Sequence, residues 1–244
     1  NDGGDPGAAW RILQVAVVKR ADSTDPDRSG TRVRDLPPPR ENPSVIGPLF
    51  RWLFQWPYRV VLYVLYRIGV RPWQLTMLSL IANIVCGVLL LTGRRFLPGL
   101  LLLPAGLFDI FDGGVARLRG EESRKGALLD SVIDRASDGI VFGCLFYAEF
   151  MIHGQMWTAV AALAAMVVSL LVSGVRAEGE AAGLEMSEGS VQRLERYVGL
   201  MFGLTAPGML LPVLVVLTVL SLLTTSQRFM RAWRALPAGG TSHG

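Results

Sequence analysis

The sequence predicts an all-α integral membrane protein, in which six transmembrane helices follow an amphipathic juxtamembrane helix. The chain has 244 residues, of which 51% are hydrophobic. Its mean hydropathy of +0.39 is too high for an ordinary soluble domain. The formal charge is +4 and the pI is near 9.4. Since no basic and aromatic arrangement suited to reading bases occurs, we assign this excess of base to cytoplasmic loops and lipid headgroups, and expect no nucleic-acid partner.

The first 47 residues are predicted to form a polar tail or linker. An apolar run at 8–20 is too short to cross a bilayer. The following stretch, 22–43, is rich in Asp, Arg, Ser and Pro, which is typical of a flexible or extended linker. Two interpretations stay open, a plain polar tail or the tether of a preceding domain. Residues 48–236 then form the membrane domain, and 237–244 form a flexible C-terminal tail.

The segment 48–70 is predicted to be an amphipathic helix that lies in the membrane interface. It is long enough to span the bilayer, but it carries Arg51, Arg59 and Arg67 at intervals of eight, which disfavours spanning. We expect the arginines to face lipid phosphates and the many aromatic side chains to lie at headgroup level. Pro57 is expected to kink or break this helix.

Six apolar spans of helical length follow the juxtamembrane helix. They are predicted at 72–92, 96–117, 126–150, 156–175, 193–206 and 209–225. Pro72 suits the first turn of the first helix. The fifth span ends at Pro207 and Gly208. Because it is short for a span, it is a candidate to start earlier, in the polar stretch before it.

An even number of spans places both chain ends on one side of the membrane. That side also receives the loops 118–125 and 176–192, and these segments together hold most of the Lys and Arg. The positive-inside rule makes it the cytoplasmic side. Arg94 and Arg95 fall on the other side and count against this orientation. We therefore expect a multi-pass protein of the cell membrane.

Four aspartates stand where the second span ends and the third begins. On helices, Asp109 and Asp112 share one face at i and i+3, and Asp130 and Asp134 share another at i and i+4. Carboxylates at membrane depth are costly and mark functional sites. Four carboxylates packed together would repel one another, and one or two divalent cations between them would remove the repulsion. A site made only of oxygen ligands suits Mg²⁺, Mn²⁺ or Ca²⁺. The alternative, two capped helix ends joined by a charged surface loop, does not require this spacing inside apolar helices.

This stretch resembles the motif of the CDP-alcohol phosphotransferases, D-x2-D-G-x2-A-R followed after a short gap by G-x3-D-x3-D. All eight positions are present. They are Asp109, Asp112, Gly113, Ala116, Arg117, Gly126, Asp130 and Asp134. The resemblance covers about residues 69–196. It implies a homodimeric enzyme in which a hydroxyl displaces CMP from a CDP-linked alcohol, with the active site at the cytoplasmic ends of the second and third spans.

The resemblance also implies the metal and the base. Mg²⁺ or Mn²⁺, as two ions, is expected to be held by Asp109, Asp112 and Asp130 and to clamp the diphosphate. Asp134 is expected to take the proton from the attacking hydroxyl. A contact of Asp134 with the second ion is the other role, and the sequence leaves both open.

The CDP moiety is expected to be bound around the first half of the motif. The residues assigned to it are Thr76, Asp109, Gly113, Ala116, Arg117 and Gly126. Gly113 and Gly126 allow the nucleotide to approach the backbone closely. Arg117 offers a guanidinium fork to a phosphate or to the cytosine carbonyl. The other interpretation of Arg117 is an arginine that extends its charge to the membrane interface.

The acceptor site resembles that of the branch that makes phosphatidylinositol phosphate. Arg135 stands where phosphatidylglycerophosphate synthases more often have lysine. Arg176, Arg193 and Arg196 match basic positions of that branch, in patterns close to S-Y-x-K-A-R-A-E and E-R-x-E-R. We expect these three arginines to bind the acceptor phosphate. The alternative is a solvated basic helix start beside lipid phosphates.

Three positions depart from those patterns. Gly174 replaces a tyrosine, Glu178 replaces an arginine and Gln192 replaces a glutamate. The loss of one cation and the gain of one acid weaken a site for a phosphomonoester dianion.

The predicted function is metal-dependent transfer of a phosphatidyl group from CDP-diacylglycerol to a polyol phosphate in phospholipid biosynthesis, with release of CMP. Inositol phosphate is the first acceptor and glycerol phosphate the second. A transferase that uses a soluble CDP-alcohol donor is an alternative within the same class. A cation carrier is the alternative from another class. It fits six spans with buried carboxylates, but the acids cluster at one membrane face and not at the midplane.

Overall fold

The computed structural model describes residues 47–183 and 193–235 of the chain. The described part contains seven α-helices. They are α1 (Gly47–Arg67), α2 (Pro72–Leu91), α3 (Phe96–Arg119), α4 (Arg124–Tyr147), α5 (Met156–Ala181), α6 (Arg193–Thr205) and α7 (Leu210–Ala235). Helix α4 continues into a π-helical turn, Ala148–Ile152. The predicted N-terminal and C-terminal tails and the stretch 184–192 lie outside the described residues, so the start proposed for the fifth span is not tested.

Four of these helices are long and apolar enough to cross a membrane, which makes the chain a multi-pass membrane protein. They are Pro72–Leu91, Phe96–Arg119, Met156–Gly179 and Leu210–Arg234. Helices also occupy the positions of the third and fifth predicted spans, as α4 and α6. Neither is among these four, because α4 begins with the charged half of the motif and α6 has 13 residues.

Helix α1 is continuous. It runs from Gly47 to Arg67 through Pro57, so the break that the proline permitted does not occur. Tyr58 of α1 stacks on Phe111 of α3, with ring centroids 5.4 Å apart. Both rings are buried, which fixes α1 against the half of α3 that carries the motif.

The loop between α3 and α4 is fixed by a cap on each side. Helix α3 ends at Gly120, whose φ of 63° is the left-handed conformation that glycine adopts without strain. Ser123 caps α4, because its Oγ accepts a hydrogen bond from the backbone nitrogen of Gly126 at 3.0 Å. The loop is therefore short, and the two halves of the motif start from neighbouring helix ends.

The core lies between α2, α3, α4, α5, α6 and α7. Its buried side chains are mostly small or aliphatic, among them Cys86, Leu102, Val141, Leu200 and Leu214. Large aliphatic side chains on the outer faces of the spans are exposed, as expected of surfaces that contact lipid tails.

An ion pair with a buried carboxylate lies at the end of the bundle opposite the motif. Arg95, just before α3, donates from Nε to Glu149 Oε1 at 2.9 Å and from Nη2 to Glu149 Oε2 at 2.7 Å. Glu149 lies in the π-helical turn and is 1% exposed. One of the two arginines that count against the predicted orientation is therefore neutralised by a carboxylate.

Candidate active site

Three of the four motif aspartates come together between α3 and α4. Asp109 and Asp112 come from the second half of α3, and Asp130 comes from the first half of α4. One carboxylate oxygen from each lies within 4.8 Å of the others. Asp112 is buried and the other two are half-buried. The structure therefore brings together three of the four aspartates that the spacing predicted to converge.

Thr76 of α2 holds one of these carboxylates in place. Its Oγ1 donates a hydrogen bond to Asp112 Oδ2 at 2.7 Å and also lies 3.2 Å from the carbonyl oxygen of Pro72. Asp112 is 6% exposed, and so is Thr76. Thr76, which the sequence analysis assigned to the CDP moiety, thus orients Asp112.

The three carboxylates fit a divalent cation. Their oxygens are hard ligands of the kind that Mg²⁺ and Mn²⁺ take. Asp130 Oδ1 is buried and has no hydrogen-bond partner among the described residues. A buried acceptor without a donor is costly, and a cation held by Asp109, Asp112 and Asp130 would satisfy it.

Asp134 lies outside this group of three and pairs with Arg193 of α6. The Nη1 atom of Arg193 lies 2.6 Å from Asp109 Oδ1 and also contacts Asp134 Oδ1. The Arg193 side chain is 10% exposed. The arginine predicted to bind the acceptor phosphate therefore stands between the metal-binding acids and the predicted base.

Arg196, one turn further along α6, bonds to a carboxylate that the sequence analysis left without a role. Its Nη2 donates to Asp138 Oδ2 at 3.0 Å. Asp138 is 1% exposed and also accepts a hydrogen bond from Ser169 of α5. The signal was present in the sequence, because Asp138 continues the four-residue repeat of Asp130 and Asp134 on α4.

Two further polar residues in the core were not predicted. The Tyr197 hydroxyl donates to Asn83 Oδ1 of α2 at 3.0 Å and lies 3.4 Å from Asp138 Oδ1. Arg193 Nη2 donates to the same hydroxyl at 3.2 Å, and the guanidinium lies 5.2 Å from the centre of the Tyr197 ring. Tyr197 and Asn83 are both fully buried.

The remaining predicted site residues lie around this centre. Arg117 is half-buried near the end of α3, where its charge acts on the Tyr58 hydroxyl of α1. Gly126 is exposed in the first turn of α4. Gly113 and Ala116 are half-buried on α3. Arg176 is exposed on α5, where its charge interacts with that of Asp130.

Four helices of membrane-spanning length define a multi-pass membrane protein, and the cluster of three carboxylates, which could hold a cation, is its candidate metal-dependent active site. Residues 70–227 match the CDP-alcohol phosphatidyltransferase family. This is more than half of the chain, and the chain belongs to that family. The resemblance predicted from the eight motif positions is confirmed, and the chain is an enzyme of the family.

Several of the relatives are phosphatidylinositol phosphate synthases. The chain is 36% identical over 181 residues to the phosphatidylinositol phosphate synthase of Mycobacteroides abscessus, covering 71% of this chain and 81% of that protein. It resembles the crystal structure of Mycobacterium tuberculosis phosphatidylinositol phosphate synthase with CDP-DAG bound, with a TM-score of 0.65, 30% identity, and coverage of 74% of this chain and 96% of that chain. The same synthase in complex with manganese and citrate aligns with a TM-score of 0.64 at 30% identity, over 74% and 95% of the two chains.

Proposed function

We propose that this enzyme transfers the phosphatidyl group of CDP-diacylglycerol to inositol phosphate and releases CMP. The observation that carries the proposal is the position of Arg193, which joins Asp109 of the metal-binding group to Asp134. A phosphorylated acceptor needs a positive charge beside the metal site and the base, and the Arg193 guanidinium lies there. The relatives named above, which are phosphatidylinositol phosphate synthases, support this choice of acceptor.

The reaction is a displacement at the β-phosphate of the donor. A bond forms between the acceptor hydroxyl oxygen and the β-phosphorus, and the bond from that phosphorus to the bridging oxygen of CMP breaks. A metal ion, when bound, supplies charge neutralisation to the diphosphate and to the departing CMP. Asp109, Asp112 and Asp130 would hold it, and manganese is bound in the structure of the M. tuberculosis relative.

Asp134 is the proposed base. It lies next to the metal-binding acids without belonging to their group of three, and it contacts Arg193. A carboxylate in this position accepts the proton of the attacking hydroxyl. Arg193 then serves two groups, since it orients Asp134 and offers its charge to the acceptor phosphate.

The donor and acceptor phosphates need separate cationic groups. Arg117 near the end of α3 is proposed for the CDP moiety, alongside Gly113, Ala116 and Gly126. Arg193 and Arg196 are proposed for the acceptor phosphate, with Arg176 at the edge of the site. Gly174 and Glu178, on the same helix as Arg176, provide no replacement for the missing cation. We therefore expect weak binding of the acceptor at that edge.

The proposed topology has α2 to α7 crossing the membrane, α1 in the interface and the site facing the cytoplasm. The pairing of Arg95 with Glu149 supports this topology, because the ion pair neutralises one positive charge on the side of the membrane opposite the cytoplasm. A single cysteine introduced in the loop between α3 and α4 should react with a membrane-impermeant thiol reagent in inverted vesicles and not in intact cells, once Cys86 and Cys144 are replaced.

The homodimer remains a prediction, and light scattering of the detergent-solubilised protein checks it.

The function is tested by CMP release from CDP-diacylglycerol in the presence of Mn²⁺ or Mg²⁺. Inositol 1-phosphate, glycerol 3-phosphate, inositol and serine are supplied separately, with and without EDTA. We expect release with inositol 1-phosphate that EDTA abolishes. Release with glycerol 3-phosphate alone would show that glycerol phosphate, and not inositol phosphate, is the acceptor. No release with any acceptor would contradict CDP-diacylglycerol as the donor and favour a soluble CDP-alcohol.

A further inference from the structure

Asp138 is a buried carboxylate on the same face of α4 as Asp130 and Asp134. It is 1% exposed. It is not one of the three acids whose oxygens converge on the metal site. A carboxylate taken out of water is costly unless charged and polar partners surround it. The identity of its partners therefore indicates its role.

The partners of Asp138 are the two arginines of α6. Oδ2 accepts from Arg196 Nη2 at 3.0 Å, and Oδ1 lies 3.7 Å from Arg193 Nε. The two guanidinium groups would otherwise repel each other in a buried space, since their side chains are 7% and 10% exposed. One carboxylate between them neutralises that repulsion and pulls both towards α4.

The orientation of Asp138 is itself fixed by neighbouring helices. Ser169 of α5 donates to Oδ2, and the Tyr197 hydroxyl lies 3.4 Å from Oδ1. That hydroxyl is anchored in turn by Asn83 of α2. Ser169, Tyr197 and Asn83 are 1% exposed or less. Because four helices meet at this carboxylate, its position is rigid enough to set the direction of a long arginine side chain.

Asp138 engages opposite parts of the two arginines. It faces the Nε edge of Arg193, which leaves Nη1 directed at Asp109 and Asp134. It bonds one terminal nitrogen of Arg196, and a guanidinium carries five N–H donors. Arg196 therefore keeps donors for an anion. Arg193 keeps one Nη2 hydrogen beside those that go to Asp109, Asp134 and Tyr197.

We propose that Asp138 is a positioning residue that determines the affinity for the acceptor phosphate through Arg193 and Arg196. The proposal rests on the proposed function, in which these arginines bind that phosphate. Asp138 is not among the three acids of the candidate metal site. Its loss should weaken binding of the acceptor selectively.

The test compares Asp138→Asn with Glu149→Gln. Each removes the charge of a carboxylate that is 1% exposed and paired with arginine, but Glu149 lies at the opposite end of the bundle. In Asp138→Asn we expect the KM for inositol 1-phosphate to rise about tenfold or more, with the KM for CDP-diacylglycerol unchanged. In Glu149→Gln thermal stability should fall while both KM values stay at their wild-type levels.

Equal effects of the two variants on the acceptor KM would overturn the proposal, as would an equal rise in both KM values of Asp138→Asn. Should Asp138→Asn not fold, Ser169→Ala decides. It removes one hydrogen bond to the same carboxylate, and we expect an acceptor KM raised about fivefold. An unchanged KM would overturn the proposal. If the wild-type enzyme uses another phosphorylated acceptor, inositol phosphate is the wrong acceptor in the proposed function. The same comparison of KM values, made with the acceptor that the enzyme does use, still tests the role of Asp138.

Discussion

Arg193 of α6 places its Nη1 atom 2.6 Å from Oδ1 of Asp109 on α3, although the two residues are 84 positions apart in the sequence. This contact brings the predicted acceptor-binding arginine to the acids of the candidate metal site. The proposed acceptor site and the candidate metal site are then neighbours that share one ion pair. Changes to either residue should therefore affect both sites.

Replacement of Arg193 by Ala should lower kcat/KM for inositol 1-phosphate by about a hundredfold, because it leaves two carboxylates without their cation and removes a donor to the phosphate. Arg193→Lys should recover part of the loss, since a lysine keeps the charge but cannot bridge Asp109 and Asp134 in the same way. Steady-state CMP release measures both. Arg94→Ala, an exposed arginine at the other end of the bundle, serves as the control and should behave as the wild type. Wild-type kinetics in Arg193→Ala would contradict its assignment.

Asp134 and Asp112 should respond differently to the same substitution. Asp134→Asn should bind Mn²⁺ and CDP-diacylglycerol much as the wild type does but show no turnover, because the proton acceptor is lost. Asp112→Asn should lose both binding and turnover, since it removes one of the three converging carboxylates. Mn²⁺ binding followed by electron paramagnetic resonance separates the two outcomes. Normal turnover in Asp134→Asn would remove it as the base.

Thr76 should tune the metal affinity through Asp112. In Thr76→Ala the 2.7 Å hydrogen bond to Asp112 Oδ2 is lost. The Mn²⁺ concentration that gives half-maximal activity should then rise about tenfold, as for other residues that orient a metal ligand. Thr76→Ser keeps the hydroxyl and should titrate close to the wild type. An unchanged Mn²⁺ dependence in Thr76→Ala would contradict a role of Thr76 in metal binding through Asp112.

The metal-binding half of the site could be predicted from the sequence because its information is local. Asp109 and Asp112 are three residues apart, and Asp130 and Asp134 four, so helical geometry alone sets each pair on one face. The contacts of Asp138 depend on the tertiary fold. Its bond to Arg196 joins residues 58 positions apart, and only the arrangement of α4 and α6 within the bundle determines it. The four-residue repeat of aspartates on α4 indicated Asp138 but did not identify Arg196 as its partner.

The helix ends differ from prediction for a similar reason. Helix α5 continues to Ala181 and α7 to Ala235, beyond the predicted ends at 175 and 225. Hydropathy marks the part of a helix that lies in lipid, whereas the helix itself continues as long as good helix formers follow. Ala, Glu and Arg continue α5, and arginines continue α7 past its apolar part.

The attachment of α1 to the motif helix depends on one glycine. A Cβ atom at Gly114 would come 2.6 Å from the Tyr58 hydroxyl oxygen and 2.8 Å from Leu62 Cδ1. Both distances are shorter than real contacts allow, so the Tyr58 and Leu62 side chains, or the helix that carries them, would have to shift. Because the charge of Arg117 acts on the Tyr58 hydroxyl, such a movement would reach the site proposed for the CDP moiety.

Gly114→Ala should therefore destabilise the enzyme by about 1–3 kcal/mol, as overpacking of a core does. It should also raise the KM for CDP-diacylglycerol, because α1 and Arg117 are displaced together. Adding Tyr58→Phe removes the atom nearest to the new methyl group and should recover part of the stability, but not the contact with Arg117. Gly143→Ala is the matched control, since a Cβ there has nothing within 4 Å. It should unfold in detergent at or above the wild-type temperature, whereas equal unfolding temperatures for both alanine variants would contradict the close approach of α1 to Gly114.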